Sequence, residues 1–326
     1  DLASKRGHSY AALHARTDAL ARHLQENLQI QPEDRVGVLC HNTTDIFEMQ
    51  FACWRIGAIF LPLNWRLAAR EIGMILGDAE PKLIIVDTEL TELLAERSSI
   101  PQLITNGLGS NTAYEQAIAT GGRPQPHLPD LDATGTLMYT AGTTGPPKGA
   151  RITHRMTLTN ALNLSVPARV TRDSVHLVAL PLFHTGGLIC YANPVFHAGG
   201  TNVVMRTWDP AQALLHFQDA SLGLTHFFGV PAHFQFLSEQ PGFREASFSL
   251  VTAGVGGAPC PRAMLQTWAE KGVPMQQGYG MTETSPTVLV LDTERATERL
   301  GSAGLPALHT QVSLRTDEGD VIEGAD

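Results

Sequence analysis

The chain has 326 residues, enough for more than one packing unit, and its 43% hydrophobic and 17% charged residues exclude a disordered or low-complexity protein. Its 23 Lys+Arg against 32 Asp+Glu give a net charge of −9, which argues against a nucleic-acid partner or an anionic membrane surface, because either needs a dominant basic face. No apolar run is long enough to span a bilayer, and Cys40, Cys53, Cys190 and Cys260 lack C-x-x-C or zinc spacing. They read as small buried hydrophobes of a reducing compartment, so a cytoplasmic protein without stable membrane insertion is expected. The first residue is aspartate, which points to a start lost upstream.

Ser9 is placed to cap a first helix, with Tyr10, Leu13, Leu20, Leu24 and Leu28 recurring on one face. Residues 35–40 read as a buried strand, 45–56 as a helix ended by Gly57, and 59–63 as a short strand. The stretch 67–76 follows as helix and 82–87 as strand. Such alternation predicts a mostly parallel α/β sheet covered on both faces. A polar, Gly/Pro-rich passage, 106–132, interrupts it before residues 136–139 lead into a glycine-rich loop. Beyond the loop we read a helix near 156–164, a strand over 175–182, a strand at 201–205 and a helix over 210–218. Strands at 224–229 and 250–253, a helix over 261–271 and a short strand at 274–277 complete the series. The fold class is therefore α/β with two units, 1–165 and 166–298. The turn-rich stretch 299–326, with alternating Val312 and Leu314, is expected to begin a small β subdomain.

Two segments carry chemistry. The first runs Tyr139-Thr140-Ala141-Gly142-Thr143-Thr144-Gly145-Pro146-Pro147-Lys148-Gly149, three glycines, three threonines and one lysine after an apolar run. Backbone N–H groups, hydroxyls and a cation so arranged can hold a polyphosphate, although the spacing is not that of a Walker loop. A plain connector is the other reading. The second segment is Gln277-Gly278-Tyr279-Gly280-Met281-Thr282-Glu283-Thr284-Ser285-Pro286. A tyrosine between glycines leaves a ring face open to a flat base, and Glu283 with flanking hydroxyls offers oxygen ligands for Mg²⁺. A turn capped by its Thr/Glu pair accounts for the same residues.

Taken together, these motifs resemble the adenylate-forming superfamily of acyl-CoA synthetases, luciferases and peptide-synthetase adenylation domains. Thr140–Gly149 is similar to its phosphate loop and Tyr279–Glu283 to its Y-G-x-T-E motif. Leu180–Gly187 is similar to its P-x-F-H segment, and Gly256-Gly257-Ala258-Pro259 to its G-G-A-P segment. The resemblance implies two stacked doubly wound α/β subdomains, layered αβαβα, followed by the start of a β-barrel subdomain. It also implies ATP, Mg²⁺ and coenzyme A. A hydrophobic monocarboxylic acid would attack the α-phosphorus to give an acyl-adenylate, and a thiol would then displace AMP.

On this resemblance Thr140, Thr143, Thr144 and Lys148, with Gly142 and Gly145, surround the β- and γ-phosphates, Thr282 contacts the α-phosphate region, and Glu283 holds the metal. Tyr279 and Gly280 face adenine from one side and Gly257, Ala258 and Pro259 from the other. Many members carry serine where this chain has Ala141. Phe228, Gly229, Val230, Pro231, Gly254, Val255, Gly256 and Met281 would line an acid pocket without Lys or Arg, suited to a fatty or aryl acid. Core packing alone also explains these residues. His184 is either a packed histidine at a strand end or, as the resemblance implies, a residue at the pocket mouth that orients the carboxylate or gates the thiol path. A carrier-protein thiol as acceptor, or a non-catalytic nucleotide-binding module, are the alternatives. Many members of the family are monomers or dimers, so a monomer or homodimer is expected. The family's ribose-binding aspartate and its C-terminal lid domain with a catalytic lysine find no match, so that domain is expected to be missing.

Overall fold

Two parallel-rich sheets are built from the apolar runs, and the carboxyl ends of their strands meet. The computed structural model describes residues 1–97, 99–128, 130–140 and 147–322. The first sheet takes its strands from α1 (Tyr10–Glu26), β1 (Arg35–Leu39), α2 (Asp45–Arg55), β2 (Ile59–Pro62), α3 (Ala69–Ala79), β3 (Leu83–Asp87), β4 (Gln102–Thr105), α4 (Ala113–Ala119), β5 (Thr134–Thr140) and β6 (Lys148–Thr153). Their spatial order is β4-β3-β1-β2-β5-β6, parallel except for the β5–β6 hairpin. Period-two side chains divide the strands between two cores. Val36, Val38, Leu83 and Ile85 pack with α1, α2 and α4 on one face, and Leu39, Ile84 and Val86 with α3 on the other. Ser9 caps α1 by accepting the Ala12 N–H at 3.2 Å.

The second sheet follows α5 (His154–Ser165). Its elements are β7 (Val175–Val178), α6 (Asn193–Ala198), β8 (Thr201–Val204), α7 (Pro210–Gln218), β9 (His226–Gly229), α8 (Pro231–Ser238), β10 (Thr252–Val255), α9 (Arg262–Glu270), β11 (Met275–Gly280), β12 (Thr287–Val290) and β13 (Leu305–Pro306). The strand order is β13-β12-β11-β10-β9-β7-β8, with the first two antiparallel and the rest parallel. Helices α7, α8 and α9 cover its outer face around Phe227, Phe234 and Trp268. The inner face meets α5, α6 and a π-helical turn, Gly186–Ala192, whose Leu188 and Ile189 belong to the same core as α1 and α2. Helices between two sheets and helices outside each give the αβαβα layering.

Several elements differ from the sequence expectation. The polar passage 106–132 contains α4, which Thr112 caps by accepting the Glu115 N–H and which buries Tyr114, Ala117 and Ile118. The strand expected over 175–182 stops at Val178, and residues 179–185 leave the sheet towards the site. The strand expected at 274–277 runs on to Gly280, so Tyr279 stands on β11 rather than in a turn. Beyond residue 299 the described residues form β13 and a single Arg315–Val321 bridge.

Candidate active site

Open α/β sheets bind ligands beyond the carboxyl ends of their strands, and here two such edges are tied together. Asn42, just after β1, donates from Nδ2 to the Leu180 carbonyl at 2.9 Å and accepts the Leu182 N–H at 2.9 Å. This fully buried amide holds the Pro181-Leu182-Phe183-His184 segment after β7. Tyr191, Phe228, Gly254, Gly256, Gly278 and Tyr279, with His184, then line a cavity of about 410 Å³ at the ends of β7, β9, β10 and β11.

The cavity wall depends on missing side chains. The Phe228 and Tyr191 rings stack at 5.2 Å, 14° from parallel, directly on Gly254. A Cβ on Gly254 would sit 2.6 Å from Tyr191 Oη and 2.8 Å from Phe228 Cδ2. Tyr191 donates to Gln276 Oε1 at 2.9 Å, and Gln276 Nε2 donates to the Pro167 carbonyl at 2.7 Å, which closes the floor. Burial pushes the Tyr191 phenol well up, so it stays a neutral donor. Cys190 lines the same floor, and burial likewise raises its thiol, to about 12.

His184 is exposed, but into the cavity, where protein surrounds it. Desolvation, then the charge of Arg66, pushes its imidazole below the ordinary value. Arg66 follows β2 and lies over the Trp65 and Phe183 rings at 5.1 and 5.9 Å. Behind Trp65 stands His41, 4.6 Å away, whose Nδ1 faces Asp87 at 3.2 Å. Burial alone would raise the Asp87 carboxyl, yet the His41 hydrogen bond and the Arg206 charge hold it below its usual range. His41, Asp87 and Glu89 cluster closely enough for a cation, but Arg206 Nη2 lies 2.7 Å from Asp87 and 3.2 Å from Glu89. That group is an ion-pair network.

Strand β6, whose first residue is Lys148, comes near the second sequence motif beside this cavity. Lys148 opens β6 and pairs with Thr140, the last residue of β5, so the intervening loop is closed by a hairpin. Lys148 is thus a strand residue, not part of a free loop as its sequence suggested. Ala141, Gly142, Thr143, Thr144 and Gly145 lie outside the described residues. Strand β6 packs against the turn Thr282–Thr284, with Cα atoms within 8 Å. The turn is fixed locally: Thr284 Oγ1 accepts the Met281 N–H at 3.0 Å and donates to the Pro286 carbonyl at 2.7 Å. Gly280 is required there, because a Cβ would fall 1.8 Å from Pro286 O. Lys148 and Glu283 are both exposed, and neither forms an ion pair among the described residues.

Of the residues expected at the site, His184, Phe228, Val230, Gly254, Gly256, Gly257, Tyr279, Gly280, Met281 and Thr282 line the cavity together. Gly229 does not; its missing side chain faces His233 and Phe234 of α8, where it serves packing. Val255 is a core residue of the outer face, and Ala258 and Pro259 are exposed beyond the lining. Thr140, Lys148 and Glu283 stand outside the cavity, on the hairpin and turn beside it. Asn42, Tyr191 and Gln276 were missed. Position at a strand's carboxyl end is the signal that could have found Asn42; Tyr191 and Gln276 carry none, since their roles depend on each other.

A glycine-lined cavity at the carboxyl ends of a parallel sheet, with the β5–β6 hairpin and an acidic turn beside it, defines an α/β nucleotide-binding protein of the adenylate-forming type. The family described as AMP-binding enzyme matches residues 2–325, and the chain belongs to it. It is 36% identical over 316 residues to a feruloyl-CoA synthase of Amycolatopsis sp, covering 96% of this chain and 62% of that protein. It is 31% identical to an indoleacetate–CoA ligase of Aromatoleum aromaticum, covering 97% and 63%. A Mycobacterium tuberculosis fatty acyl CoA synthetase structure superposes with a TM-score of 0.87 at 25% identity, over 98% of this chain and 63% of that one. The chain thus spans somewhat under two thirds of the length of these relatives. No described helix is long and apolar enough to cross a membrane.

Proposed function

We propose that the chain is the ATP- and acid-binding part of an AMP-forming acid–thiol ligase whose acid is an aromatic monocarboxylate and whose thiol acceptor is coenzyme A. The observation that carries this reading is the approach of β6, opened by Lys148, to the turn bearing Glu283, beside a cavity lined by Gly257 and Tyr279. The donors fit the groups they would meet. Lys148 is a cation for a polyphosphate, and the Glu283 carboxylate with the neighbouring Thr282 hydroxyl is an oxygen set suited to Mg²⁺. When bound, Mg²⁺ neutralises phosphate charge.

The chain's own work is positioning. Tyr279, about half exposed on β11, offers a ring face to adenine against the bare Gly257 backbone. His184 is an uncharged hydrogen-bonding group of the lining, and the mainly apolar wall disfavours water around the acyl chain. The Tyr191–Phe228 wall and the Tyr191–Gln276 floor favour a flat ring over a long alkyl chain. The relatives named for feruloyl and indoleacetate substrates lead the same way.

The test is calorimetric binding of acyl-sulfamoyl adenosines, which mimic an acyl-adenylate. Burying an aryl group is worth about 2 kcal/mol, so the arylpropenoyl compound should bind about thirtyfold more tightly than the acetyl one. The hexadecanoyl compound should gain little over acetyl. Binding indifferent to the acyl group, or not displaced by ATP, would overturn the proposal. A carrier-protein acceptor would show as AMP release with a phosphopantetheinyl protein and none with coenzyme A.

A further inference from the structure

Arg66 belongs to neither motif and does not line the cavity, yet its place is built. Asn64 Oδ1 accepts the Arg66 N–H at 3.0 Å, which turns the chain sharply after β2. The guanidinium then rests on two rings that meet edge to face at 6.2 Å, Trp65 and Phe183. Each ring is held from behind. His41, fixed by Asp87 and Arg206, backs Trp65; Asn42 clamps the segment carrying Phe183. Phe183 lies against His184 with ring centroids 4.8 Å apart. A cation is therefore seated on an aromatic shelf one ring away from the imidazole that lines the cavity.

Arg66 forms no ion pair among the described residues, whereas Arg6, Arg16, Arg55 and Arg206 all meet carboxylates. In a chain of net charge −9, this leaves a positive group one ring away from His184, which lines the cavity. We propose that Arg66 is a positioning residue for the acid site, drawing the carboxylate to the mouth and keeping His184 the neutral partner that the carboxylate meets. The proposal rests on the acid–thiol ligase reading above.

The physical logic is differential binding. A protonated His184 would pair with the carboxylate, stabilise the ground state and blunt its attack on phosphorus. Arg66 opposes that protonation through space, while its own charge, exposed and seated on the Trp65 and Phe183 rings, steers without trapping. Among the described residues it is the charged group acting on His184; the Tyr191 and Tyr279 phenols and the Cys190 thiol share the cavity lining. His233, on α8, also feels Arg66, and burial with that charge brings it to about 4.

Two readouts test the proposal on this chain. Histidine NMR titration, with His184 assigned through His184→Asn, should show the midpoint rising in Arg66→Gln, as loss of the nearby positive charge requires. Arg66→Lys should leave it within about 0.2 of the parent. In acid-dependent pyrophosphate exchange, Arg66→Gln should raise KM for the acid about two- to fivefold with kcat at pH 8 unchanged, and Arg66→Lys should restore it. An unmoved His184 midpoint in Arg66→Gln, or an equal shift in Arg66→Lys, overturns the proposal. Absence of exchange in the parent and every variant would be laid to the third or so of its relatives' length that the chain does not span, and the titration would then decide the Arg66–His184 link.

Discussion

Lowering the pH from 7 to 5 should weaken the fold through one buried imidazole, and the size follows from its surroundings. His176, on β7, is 3% exposed beneath the cavity floor, its ring 5.4 Å from that of Tyr191. Its Nδ1 faces the His226 carbonyl at 3.3 Å and so carries the proton of the neutral form. Desolvation, only partly offset by that hydrogen bond, lowers its pKa from 6.5 to about 3. The unfolded chain therefore takes up a proton as pH falls through 6.5, which the native state refuses until about pH 3. Stability contributed by the neutral ring is complete above 6.5 and is lost progressively below it. Each full unit inside that window costs about 1.4 kcal/mol, and the step from pH 7 to 5 costs about 2 kcal/mol. Urea unfolding at both pH values would measure it, with His176→Asn keeping an N–H near the His226 carbonyl but removing the titration. Histidines and buried carboxylates away from this pair titrate alike in both proteins, so the difference in slope reports His176 together with its neighbour His226. A variant that loses stability as steeply as the parent would refute the reasoning.

Two substitutions test the local architecture. Gly280→Ala puts a methyl within 1.8 Å of the Pro286 carbonyl oxygen, a backbone atom, so the β11–β12 connection must open; thermal unfolding should show a loss of about 2 kcal/mol or more, and a melting temperature unchanged within error would contradict the geometry. Asn42→Ala strands the Leu180 carbonyl and the Leu182 N–H without their amide partner; urea unfolding should register a loss of about 2 to 4 kcal/mol, and a loss under about 0.5 would mean that the tether is dispensable.

Strands β1, β2 and β3 were readable because each is a short apolar run bounded by helix signals with chemical content, whereas β4 and β6 of the same sheet were not expected. Ser9 is the clearest case, and the full burial of Leu83–Asp87 explains why that run does not alternate. What escaped was written in weaker terms. Helix α4 buries only three of its seven residues, so its apolar signal is submerged in a Gly/Pro-rich passage. Strand β7 looked longer than it is because Ala179–Leu182 remain apolar after leaving the sheet, held by Asn42 rather than by strand partners. The glycine motifs were legible since close backbone approach tolerates nothing else, as at Gly254 and Gly280. Gly229 looked identical in sequence but faces α8, a distinction that strand parity alone did not reveal. The Tyr191–Gln276 floor was illegible because it joins residues 85 positions apart.

Calorimetric titration of ATP with Mg²⁺ into the parent chain, Lys148→Ala, Glu283→Gln and the double variant bears most directly on the shared crevice. Each single change should weaken ATP about tenfold or more, the double change should fall short of the product, and Glu283→Gln should reduce the gain from Mg²⁺. ATP affinity that survives both substitutions unchanged would separate the two motifs and contradict the account.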